Sequence, residues 1–72
     1  MIYILLVNGK RGETKVIKQI VGQDKTKLFL HNLGFVEGSE VCIINKMAGS
    51  LIVNVKDARI AINQEMAKMI II

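Results

Sequence analysis

The chain has 72 residues, 51% of them hydrophobic and 22% charged, with a formal net charge of +4, one Cys, no Pro and no Trp. This length fits a single domain over 1–72 with little material for a deep catalytic cleft, and the apolar content lies far from the regime of disordered chains. A lone Cys42 excludes a disulfide framework within the chain and fits a reduced, cytosolic setting.

The apolar run Ile2 to Val7 has six residues, against the roughly 20 that a membrane-spanning helix needs. It also lacks the basic lead-in, the length and the small-residue cleavage site of a signal peptide. No direct membrane insertion is expected. The modest positive charge permits weak attraction to nucleic acid or anionic lipid and demands neither.

Ile and Val dominate the apolar set, which favours strands, and six glycines divide the chain into short pieces. Tyr3 to Val7 reads as a first strand or lead-in, and Asn8 to Glu13 as a polar turn. Thr14 to Val21 reads as one strand, with a bulge where Ile17 and Ile20 break strict alternation. Asp24 to Leu33 is the clear helix. Asp24 is placed as its N-cap, and Phe29, Leu30 and Leu33 as its apolar positions. Gly34 supplies the left-handed residue that ends it, so that Phe35 folds back on the last turn.

Glu37 to Ser39 then turns the chain. Glu40 to Lys46 carries Val41 and Ile43 on one face and Cys42 and Ile44 on the other, which reads as a central strand covered on both sides. Met47 to Ser50 is a hairpin loop. Leu51, Val53 and Val55 alternate with Ile52, Asn54 and Lys56 as a half-buried strand. After a turn at Lys56-Asp57, Ala58, Ile60 and Ile62 form the inward set of the next strand. Asn63 to Met69 holds one helical turn, and Ile70 to Ile72 is a closing strand. About five short strands and one short helix predict a mainly β fold, a small, partly open barrel.

Catalytic constellations are missing. One His, one Cys and two Ser in turns form no nucleophilic triad, and no Cys-x-x-Cys or His-x-x-x-His offers a metal site. No cofactor and no metal is expected, and the chain does not read as an enzyme. His31 reads as a helix-surface residue, with a partner contact or a weak metal ligand as the alternative. Cys42 reads as a small buried apolar residue. Met66 and Met69 read as core packing, with a soft-metal pair as the alternative. Gly9-Lys10-Arg11-Gly12 lacks the spacing of a phosphate loop. A nucleic-acid module is a competing class, but the strands from Glu40 to Asn63 contain no aromatic residue for base stacking.

From about Gly12 to Ile72 the sequence resembles the FeoA family of the bacterial ferrous iron transport system. The residues that carry this are Gly12, Ile17, Ile20 and Gly22, then Leu30, Leu33-Gly34-Phe35 and Gly38. They continue through Val41, Ile43, the Met47–Gly49 loop, Val53 and Val55. The closing pattern is Ile60-Ala61-Ile62, Ala67, Ile70 and Ile72. The resemblance implies an SH3-like barrel and a cytosolic accessory protein without enzymatic activity. That protein would dock on the cytoplasmic part of a FeoB-type GTP-dependent iron transporter, and would be peripheral to the membrane through it. The same fold at the C-terminus of iron-dependent repressors supplies a second binding-class alternative. Self-association stays open. The expected partner surface is the helix end and the loops around it: Leu28, His31, Phe35, Val36, Glu37 and Met47.

Overall fold

The structure, a computed structural model, describes residues 4–72. Of the expected first strand, Tyr3 lies outside the described residues. The rest forms a 3₁₀ turn at Leu6–Asn8, preceded by a single β-bridge between Leu5 and Ile71. Leu6 is fully buried, so this segment plugs the barrel rather than extending a sheet. Gly9 follows it against Ile43, where any Cβ would collide with the Ile43 side chain.

The segment expected as one strand from Thr14 to Val21 is two. β1 (Thr14–Val16) pairs antiparallel with β3 (Glu40–Met47), and β2 (Gln19–Ile20) pairs antiparallel with β6 (Ile70–Ile71). The irregular Ile17–Ile20 spacing marks the place where the chain changes sheets. Ile17 and Ile20 both enter the core, which strict alternation within one strand would not allow. With β4 (Ser50–Val55) and β5 (Ala58–Asn63), the larger sheet has the order β1-β3-β4-β5, and β2-β6 forms the smaller. The result is the partly open barrel expected from the sequence, with six strands among the described residues rather than about five.

Helix α1 spans Asp24–Leu33, as its sequence pattern predicts. Its N-cap is Gln23, not Asp24, and no side chain caps the first turn. Asp24 is already helical. Its carboxylate instead sits at the positive end of the helix dipole. The other end matches expectation: Gly34 is left-handed at φ 106, and Phe35 N–H donates to the Leu30 carbonyl at 2.9 Å. Phe35 is thereby turned inward and is completely buried.

β3 is central in the sheet but is covered on one face only. Val41 and Ile43 are fully buried, while Cys42 and Ile44 are half-buried. Among the described residues no layer packs over the second face, and Cys42 is half-buried rather than the buried apolar residue expected. A register shift between Ile43 and Asn45 marks a bulge against β4. Leu51, Val53 and Val55 point into the core from β4, and Ile62 does so from β5. Ala58, expected inward, is exposed at the turn. Asn63 caps the short helix α2 (Gln64–Ala67), its side-chain oxygen accepting from Met66 N–H at 2.9 Å. Met66 and Met69 pack against the core as expected.

Phe35 sets the stability of this arrangement. Truncating a fully buried Phe costs about 3–5 kcal/mol, as much as a domain of this size has to lose. Phe35→Ala is therefore expected to be largely unfolded by circular dichroism at 25 °C. Leu28→Ala, at a side chain 62% exposed, should stay within about 0.5 kcal/mol of the parent in urea denaturation.

Candidate functional site

Helix α1 rests on the barrel by a narrow stripe. Leu30 is its only fully buried residue, flanked by half-buried Thr26, Lys27 and Leu33. Leu28 and Phe29 occupy the opposite face, 62% and 47% exposed, together with Lys25 and Asn32. Residues at i, i+3, i+4 and i+7 lie along one side of a helix. This spacing gathers Lys25, Leu28, Phe29 and Asn32 into one outward ridge. Phe29 was expected to pack beside Leu33, and the structure gives it to the surface instead. Adjacent Leu28 and Phe29 carried the signal, because a helix with one narrow packed stripe cannot bury both along with Leu30.

At the C-terminal end of α1, His31 Nε2 lies 3.3 Å from Glu37 Oε1. The pair joins the helix to the loop that follows it, with Val36 half-buried between them in the chain. Hydrogen bonding to its own backbone N–H holds the Glu37 carboxyl below its ordinary value of 4.5, with His31 and Lys27 adding to the effect. Glu13 is lowered in the same sense, first by the Lys10 backbone N–H, which donates to its Oε1 at 2.8 Å, and then by Lys15 and Lys10 charges.

The expected partner residues do not form one patch. Leu28, His31, Val36 and Glu37 share the helix side. Phe35 is buried beneath it and offers a partner no surface; it supports the loop from below. Met47 is 56% exposed, but it sits at the far end of the β3–β4 hairpin. Gly34 lies against Lys56 and Val55 at the other end of β4, about 16 Å away along a six-residue strand. Met47 is therefore a separate exposed contact, not part of the helix end.

A shallow polar cleft opens on the uncovered face of the larger sheet. Thr14, Ser39, Glu40, Cys42, Asn54, Lys56 and Asp57 line it. Among the described residues, no three His, Cys, Asp or Glu side chains gather in a group that would hold a metal ion. Also among the described residues, no helix is long and apolar enough to cross a membrane.

Two sheets of short strands wrapped around one aliphatic core, with a single longer helix on the outside, define a small SH3-like barrel. The family model described as the FeoA domain matches residues 4–72, and the chain belongs to the FeoA family. A solved iron uptake regulatory protein, FeoA, superposes with a TM-score of 0.87 at 20% identity, covering 99% of this chain and 95% of the other. Zinc-bound FeoA of Stenotrophomonas maltophilia, described as an SH3 domain protein, gives 0.82 at 25% identity, covering 96% and 89%. A manganese-dependent transcriptional repressor gives 0.89 at 16% identity, with 97% of this chain lying on 40% of the repressor. That last likeness is one of fold. A comparison with curated protein sequences returns no match.

The lowered carboxyls fix the sign of an acid response. A group whose folded pKa lies below its unfolded value stabilises the fold above the unfolded pKa, and this contribution is lost as pH falls through the folded value. Urea midpoints of the parent should therefore fall between about pH 5 and pH 3. The double variant Glu13→Gln, Glu37→Gln should lose less over that interval.

Proposed function

We propose that this chain is a non-enzymatic, cytosolic accessory protein of ferrous iron uptake. It acts as a single domain over 1–72 and docks on the cytoplasmic part of a FeoB-type GTP-dependent iron transporter, which it regulates or helps to assemble. Membership of the FeoA family over residues 4–72 carries this reading. The Stenotrophomonas maltophilia relative, described as a candidate ferrous iron transport activating factor, is in keeping with it.

The physical support is the outward face of α1. A small protein that leaves a Leu and a Phe exposed on one helix ridge presents the kind of apolar anchor that interfaces bury. Lys25 beside them, and His31 with Glu37 at the helix end, form a charged rim that gives orientation rather than bulk affinity. Met47 adds an adaptable contact at a second point.

Leu28→Glu places a charge at the centre of this ridge without touching the core. It is expected to weaken binding to the transporter's purified cytoplasmic domain by at least about tenfold in calorimetry, with an unchanged far-ultraviolet spectrum. Lys10→Ala, on the remote turn, should leave binding unchanged. Parent protein that shows no binding in several nucleotide and salt conditions would overturn direct docking.

A further inference from the structure

Strand β5 is the long free edge of the larger sheet. Its unpaired groups follow from the turn before it. Lys56 and Asp57 are both left-handed, at φ 50 and 64, and they make a two-residue connection between Val55 and Ala58. In such a hairpin the two flanking residues exchange both hydrogen bonds, and bonded and non-bonded pairs then alternate along the ladder. Ala58, Ile60 and Ile62 therefore bond to β4. Arg59 and Ala61, opposite Asn54 and Ile52, direct their N–H and C=O groups away from it. Neither residue makes a backbone hydrogen bond elsewhere among the described residues, and both are exposed.

Natural edges are blunted by short length, Pro, a row of charged side chains or a bulge. The opposite edge, β1, has three residues. β5 has six, with no Pro, no register shift against β4 and one charged residue, Arg59. It is an open template for another strand.

We propose that a second copy of this chain covers this edge, the two β5 strands pairing antiparallel about a two-fold axis at Ile60. The sequence is self-complementary in that register. Arg59 faces Ala61 of the second copy and exchanges both hydrogen bonds with it, and Ala61 faces Arg59 in the same way. Every outward group of the two residues is then paired. No Arg faces an Arg, so the pairing brings no like charges opposite each other. The half-buried Ile60 meets its own symmetry mate on the core side, in the closer, non-hydrogen-bonded position. Two four-stranded sheets become one. Such a contact is isologous and closes on itself. It buries well under the ~800 Å² per partner of a standard interface, so the dimer is weak and reversible.

Sedimentation equilibrium of the full chain, from about 5 μM to about 1 mM, tests this. The parent should shift reversibly from the mass of one chain towards that of two. Ala61→Pro removes the outward N–H, at an edge position where the β4 ladder does not use it. It should remain a monomer to at least about tenfold higher concentration, with an unchanged circular dichroism spectrum. Ala61→Lys keeps the N–H and sets a cation against Arg59 of the second copy, and it should weaken the dimer in the same direction even if the Pro variant folds poorly. A parent that stays monomeric throughout overturns the proposal, as does a folded Ala61→Pro or Ala61→Lys variant that dimerises like the parent.

Discussion

Ile17 and Lys18 sit where the chain leaves one sheet and enters the other, and the barrel depends on that switch. Ile17 N–H donates to the Ser39 carbonyl at 2.9 Å, and its own carbonyl accepts from Gly38 N–H at 2.8 Å. One residue later, Lys18 N–H donates to the Ile71 carbonyl at 2.7 Å. Two successive residues thus tie the loop after α1 and the last strand to the same point. The Ile17 side chain is buried under both. A short chain has little area with which to hold two sheets together, and here the backbone supplies the join while the side chain fills the space beneath.

The same economy explains the placement of α1. Gly34 and Phe35 anchor its C-terminal end. Phe35 fills the core, and Leu30 accepts its N–H, so the helix is fixed by its last turn. Little is required of the rest, which leaves Leu28 and Phe29 outside. The exposed ridge is thus a consequence of how the core is built. It is available for docking because the fold does not need it.

Much of this was legible in the chain. The bounds of α1, the left-handed Gly34, the inward turn of Phe35 and the alternating Leu51, Val53 and Val55 were all readable, because each rests on a local rule with a period or a backbone requirement. The site was less legible. Phe35 and Leu28 are both large apolar residues near the helix end, and hydrophobicity does not say which is inside. Met47 follows α1 closely in the chain, but the direction of the β3–β4 hairpin, with Met47 opposite Ser50 at its turn, carries it away from the helix end. Apolar residues on both faces of β3 point to an interior Cys42, whereas burial of its face requires a covering layer that is not found among the described residues.

By itself the sequence determined the element types, the helix stop and the mainly aliphatic interior, since these follow from spacing, glycine conformation and side-chain shape. Tertiary structure decided that Thr14 to Ile20 serves two sheets, that β5 ends a sheet with Arg59 and Ala61 unpaired, and that Phe29 faces water. Each of these depends on which segments meet across the barrel. Strand pairing joins residues far apart in the chain, and no local pattern encodes the partner.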